Sequence, residues 1–143
     1  MTDEELKIAR AFVACGRWEW LSGMLTDSGY RLVRRERGVM SGMWRITQHA
    51  PERHLDCVNV ARHGFIPDIT DPCTRGGILQ VARDATGDPG LHLRCTLPYV
   101  PSYTAAPPWV VCAGRGQRLS DRHDSEAESL LQVLQAASEA PND

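Results

Sequence analysis

The chain has 143 residues, of which 42% are hydrophobic, 24% charged and 6% aromatic, with a formal charge of −2. These values exclude a collagen, a coiled coil and a wholly disordered chain, and the length points to one domain that buries about two-thirds of its unfolded surface. Sixteen basic residues against eighteen acidic ones lack the positive excess of a nucleic-acid coat, whose affinity comes largely from phosphate neutralisation.

Residues 3–14 carry Ile8, Ala11, Phe12 and Cys15 at helical spacing, with Thr2 as cap, acids in the first turn and Gly16 as a stop. Arg17–Met24 places Trp18 and Trp20 two apart, which suits a turn or short strand. Tyr30–Arg35 alternates and is expected to pair with Met43–Ile46, with Gly38 and Gly42 as punctuation. Residues 47–70 have the weakest signal and read as a loop with one short element around Leu55–Ala61. Asp71-Pro72 then starts a helix strongly, with Asp at the cap and Pro in the first turn. Ile78, Val81, Ala82 and Ala85 give this helix one apolar stripe, and Gly87 ends it. Leu91, Leu93, Cys95 and Leu97 alternate with polar residues as in a half-buried strand, and Trp109–Ala113 is the next strand. Between them lies a proline-rich connection, residues 98–108. The capping box Ser125-x-x-Glu128 opens a last helix that turns Ala127, Leu130, Leu131, Leu134 and Ala137 inward. Residues 138–143 read as a flexible C-terminal tail. The order predicts an α+β fold: a single small antiparallel sheet with helices packed on it, one domain over residues 1–137.

The second half also carries a recognisable order of residues. Pro67, Asp68, Asp71 and Pro72 precede a helix with Gly76 and Leu79. Gly87, Asp88 and Pro89 follow, then a strand with Trp109 and Val110, then Glu126, Glu128, Leu130, Leu131 and Leu134. This pattern resembles that of many small phage and prophage proteins and is similar to the phage ABA-sandwich type of domain, in which helices cover a small antiparallel sheet. The cluster Trp18, Trp20, Gly23 and Met24 resembles the N-terminal part of some such proteins. The resemblance implies a phage or prophage source and an αβ-βα-sandwich-like fold more than an activity. Cys73 stands where that pattern usually has Ala, and the Pro/Tyr connection is an extension of it.

Several constellations carry chemistry. His49, His54, Cys57 and His63 are residue types that hold zinc, although their spacing matches no standard finger and there is no Cys-x2-Cys knuckle. Cys73, in the first turn of its helix, is the residue to test for a thiolate nucleophile, with the Asp71 carboxylate opposing it. Thr74-Arg75-Gly76-Gly77 offers backbone donors for an anion, or simply glycines that let the helix lie close to a sheet. Arg31, Arg34, Arg35 and Arg37, near Trp18, Trp20, Tyr30 and Trp44, could grip a nucleotide by stacking and phosphate contact. Fifteen of the sixteen basic residues are Arg, a bias that a GC-rich genome also produces. The Pro98–Pro108 connection, with Tyr99, Tyr103 and Trp109, combines stiff backbone with aromatics of the kind that anchor binding partners.

The chain has no HExxH, G-x-S-x-G, Walker or EF-hand motif, and nothing in it asks for a cofactor. The expectation is a phage or prophage accessory protein that binds a host protein or a small nucleotide-like ligand, with interference in host defence as a natural role. Its expected contacts are Tyr99, Tyr103, Trp109, Arg94 and Arg34. A small metal- or cysteine-dependent enzyme is the competing class, and a structural or assembly homo-oligomer the third. With neither a signal-peptide pattern nor an apolar run of membrane length, the expected place is the host cytoplasm.

Overall fold

Thr2 opens the first helix, α1 (Asp3–Ala14), by a reciprocal capping box: its Oγ1 accepts from Glu5 N at 3.2 Å, and Glu5 Oε2 accepts from Thr2 N at 2.6 Å. The computed structural model describes residues 1–37, 42–47, 56–95 and 108–140. Among the described residues three helices and five strands form an α+β fold in the order α1, β1 (Arg31–Arg35), β2 (Met43–Thr47), β3 (Asp56–Asn59), α2 (Pro72–Thr86), β4 (His92–Cys95), β5 (Trp109–Cys112) and α3 (Glu126–Glu139). The strands make two antiparallel sheets, β1-β2-β3 and β4-β5, where the alternation had suggested one. Hydropathy alternation fixes which residues face a core but carries no information on which distant strands share a ladder. The short element expected near Leu55–Ala61 is β3, the third strand of the first sheet. Among the described residues no helix is long and apolar enough to cross a membrane.

The chain divides into two compact units, where the sequence points to one domain. The first is Met1–Val13 with Glu19–Gly77, and the second Ala14–Trp18 with Ile78–Asp143. In the first unit Ile8 and Phe12 of α1, Leu32 of β1, and Trp44 and Ile46 of β2 are buried, together with Trp20, Met24 and Val60. The expected alternation of β1 breaks at Val33. The register runs Leu32 to Ile46 and then Arg34 to Arg45, so a bulge leaves Val33 without a partner and 37% exposed. Gly77 gives Met24 its room, since a Cβ there would stand 2.7 Å from Met24 Cε.

In the second unit α3 packs on β5. Ser125 caps α3, its side chain accepting from Glu128 N at 3.1 Å. The buried residues of α3 are Ala127, Ser129, Leu130, Val133 and Leu134, while the expected inward residues Leu131 and Ala137 are half-buried. Ser129 is buried at no polar cost because its Oγ donates to Trp109 O at 3.0 Å. The helix continues past residue 137: Ser138 is helical, and its Oγ accepts from Arg17 N at 3.2 Å. Asp88 ties the start of β4 to the end of β5, accepting from Gly90 N at 2.9 Å and Gly114 N at 2.8 Å.

Candidate functional site

Several charged groups of the first unit are committed to one another. Asp71 caps α2, accepting from Thr74 N at 2.8 Å and Thr74 Oγ1 at 2.9 Å. Arg31 faces the same carboxylate with two N–H groups, at 2.9 and 3.2 Å, and also donates to Gly23 O at 2.6 Å. Thr74 is wholly buried, and its Oγ1 accepts from Leu25 N at 2.8 Å. The Arg31 guanidinium, with help from the Thr74 donors, holds the Asp71 carboxyl down at about 2. The helix terminus that Thr74-Arg75-Gly76-Gly77 seemed to offer an anion therefore already holds a carboxylate. The aromatics of this unit are equally committed. Trp20 and Trp44 are buried, Arg35 stacks over the Trp44 ring at 5.4 Å, and Tyr30 and Phe65 meet with centroids 5.5 Å apart. Arg35 pairs with Glu19 at 3.0 Å and Arg45 with Glu36 at 2.8 Å. Arg34 is exposed, opposite Arg45 in the ladder.

The second unit is arranged differently around β4 and β5. After β5 the chain turns through Gly116, whose φ of 90° suits glycine, and Ala113 N donates to Gln117 O at 2.7 Å. Residues 118–123 then return along the free side of β5. Cys112 bridges to Arg118 and Trp109 to His123, with Leu119 N donating to Val111 O at 2.8 Å. The return segment holds two more residues than the strand it follows, and the excess is absorbed at Ser120. That side chain is buried and takes the place of a backbone acceptor, receiving Val111 N at 2.8 Å and donating to Asp121 O at 2.9 Å. Gln132 of α3 fixes the far end: its Oε1 accepts from Asp121 N at 2.8 Å and its Nε2 donates to Asp121 Oδ2 at 2.9 Å. His123 Nε2 lies 2.9 Å from the same Gln132 Oε1, so it carries the proton.

This wall, the turn and β4 enclose an open cleft of about 410 Å³, lined by Arg94, Cys95, Val110, Cys112, Gly116, Arg118 and Arg122. Two segments, β4 and the return segment, thus bring three guanidinium groups around a small apolar floor made by Val110 and Cys112, both buried. All three arginines are exposed. Arg118 has a loose partner, Asp121 at 3.8 Å, whereas Arg94 and Arg122 have no acidic partner among the described residues. A concave, arginine-lined surface with an apolar floor attracts anions that also carry a flat or apolar body.

Of the expected contacts, Arg94 lines this cleft. Trp109 does not: it pairs with Cys95, the rung next to that of Val110 and Arg94, and is absent from the cleft lining. Trp109 is half-buried and its backbone serves His123 and Ser129. Arg34 belongs to the other unit, and Tyr99 and Tyr103 lie outside the described residues. So do His49 and His54. Cys57 is exposed on β3, and His63 is stacked on Phe65 at 5.4 Å. Among the described residues no group of three or more His, Cys, Asp or Glu side chains could hold a metal ion. Cys73 is exposed in the first turn of α2.

Arg118 and Arg122 are the functional candidates that the sequence did not single out. Four residues apart in an extended segment, they share a face, and Gly114-Arg115-Gly116 before them is a turn signal. Those two observations together could have found the wall. Comparison of the chain with protein-family models, curated proteins and solved structures gives no match.

Proposed function

We propose that this chain is a binding protein, not a catalyst, and that it holds a small nucleotide-like anion in the cleft beside the β4–β5 ladder. The observation that carries this reading is the pair Arg94 and Arg122, two exposed guanidinium groups at one cleft with no acidic partner among the described residues. Unpaired arginine beside an apolar floor suits a phosphate attached to a base, since the planar fork matches phosphate oxygens and the floor takes the uncharged part. The cleft volume of about 410 Å³ falls within the usual range for small-ligand sites. The setting implied by the resemblance is that of a phage or prophage accessory protein in a host cytoplasm, with interference in host defence as its role. The charge balance favours a small anion over a nucleic-acid strand.

Calorimetric titration with adenosine and with adenosine monophosphate tests the reading. Binding of the phosphorylated compound, none of the nucleoside, and a loss of at least about tenfold in Arg94→Ala/Arg122→Ala support it. Equal binding of both compounds, or none of either, contradicts it.

A further inference from the structure

The three arginines of the cleft are not equivalent, and their places on the ladder specify the ligand more closely. With the two-residue excess of the return segment taken up at Ser120, Arg122, which precedes the His123 that bridges Trp109, is placed beside Val110. Val110 in turn pairs with Arg94. Arg94 and Arg122 therefore flank one rung with Val110 between them, two strand spacings or roughly 10 Å apart at the backbone. Side chains as long as arginine converge easily on one group across that span. Arg118 sits on a different rung, opposite Cys112, which is two residues or roughly 7 Å farther along β5. The wall carrying Arg118 and Arg122 is held by Ser120 and Gln132, so this separation belongs to the fold and not to a particular side-chain pose.

Resting on the proposed anion-binding reading, we infer that the cleft has two phosphate subsites along β5 and takes a polyphosphate chain, such as that of a nucleoside di- or triphosphate. Arg94 and Arg122 clamp one phosphate over Val110. Arg118 reaches a phosphate farther along the chain, over Cys112, exchanging its 3.8 Å contact with Asp121 for a stronger one. Among the described residues Asp121 is the one acidic side chain in contact with a cleft arginine, and its other contact, from Gln132, holds it back against α3. A single phosphate would leave one of the two rungs unused.

The test compares inorganic orthophosphate, pyrophosphate and tripolyphosphate as probes, by competition calorimetry on the whole chain at fixed ionic strength. Affinity is expected to rise by about tenfold or more from orthophosphate to tripolyphosphate, the increment of one charged hydrogen-bonded contact. Arg118→Ala should remove most of that increment, so that tripolyphosphate binds little better than orthophosphate, and Arg94→Ala should weaken all three probes. If all three probes bind alike, or if Arg118→Ala weakens them all equally, the two-subsite inference fails while the anion-binding reading stands. If none binds, both fail. Adenosine triphosphate separates the sources of such a chain: tighter binding than tripolyphosphate marks a nucleotide, and equal binding marks the bare polyphosphate. A single-stranded oligonucleotide that binds more tightly than any of these, with steep salt dependence, overturns the inference in favour of a nucleic-acid surface. Circular-dichroism melting keeps the variants interpretable, because both arginines are exposed and their removal should leave the transition in place.

Discussion

Beside the three-stranded sheet, Arg31 closes on Asp71 at 2.9 Å, Arg35 on Glu19 at 3.0 Å and Arg45 on Glu36 at 2.8 Å. Beside the two-stranded ladder, Arg94 and Arg122 meet no acidic side chain among the described residues. The same residue type thus does two kinds of work. In the first unit arginine neutralises, caps and covers: Arg31 completes the α2 terminus, and Arg35 lies over a buried tryptophan. In the second unit Arg94 and Arg122 face a cleft with no acidic partner among the described residues. The lesson is that a count of arginines says nothing about ligands until their partners are known, and that the richer cluster in sequence, residues 31–37, is the more self-sufficient one.

The comparison breaks first at Asp71. Asp71→Ala removes the cap of α2 and strands Arg31 in a half-buried place, and is expected to cost about 3 kcal/mol, combining a lost cap with a lost charged pair. Urea denaturation checks this, and a loss under about 1 kcal/mol would mean that the network is ornamental. In the second unit the corresponding weak point is steric. A Cβ on Gly90 would stand 2.8 Å from the Gly114 backbone, whereas one on Gly77 would meet only the flexible end of Met24 at 2.7 Å. Gly90→Ala should therefore destabilise by about 2 kcal/mol and Gly77→Ala by clearly less, the order being read from melting temperatures. Equal losses would show that Met24 cannot move.

Acid sharpens the contrast in a graded way. The Asp71 carboxyl is depressed to about 2 in the folded chain, so its contribution to stability is fully present above the ordinary carboxylate range. It is lost as pH falls from about 4 towards 2. Asp88 in the second unit is also depressed, chiefly by the Gly114 N–H and then by that of Gly90, and fades in the same direction. In Asp71→Asn the slope of stability against pH below about 4 should flatten, as measured by denaturation at stepped pH; an unchanged slope would place the acid sensitivity elsewhere. Smallest of all is the expected effect of Arg94→Ala on folding, within about 0.5 kcal/mol, as befits an exposed side chain with no acidic partner among the described residues.

The helices were legible in the sequence because their signals are local: Thr2 with Glu5, Asp71 with Pro72, and Ser125 with Glu128 each announce a cap within four residues. Strands β1 and β4 were legible from alternation, β2 as the expected partner of β1 and β5 as the strand following β4, and β3 only as a short element in a polar stretch. Their division into two sheets was not, since pairing depends on contacts remote in sequence. The Val33 bulge was hidden for a related reason: one extra residue changes the face of a strand without changing its composition. The site was half legible. Arg94 stood out on an alternating strand, but Arg118 and Arg122 lie in a polar stretch that makes only isolated bridges to β5, so neither hydropathy nor β propensity marks it. Trp109 drew attention as an aromatic beside a proline-rich connection, yet it stands outside the cleft lining, and its backbone serves His123 and Ser129.

The most direct measurement is a titration of adenosine triphosphate into the wild-type chain, Arg94→Ala/Arg122→Ala and Arg35→Ala/Arg45→Ala, at one ionic strength and with melting curves alongside. The account predicts that the cleft variant loses binding by at least about tenfold with an unshifted melting temperature, and that the variant of the first sheet binds as wild type. Binding that survives in the cleft variant, or that disappears in the other, would contradict the assignment of the free arginines to the β4–β5 cleft.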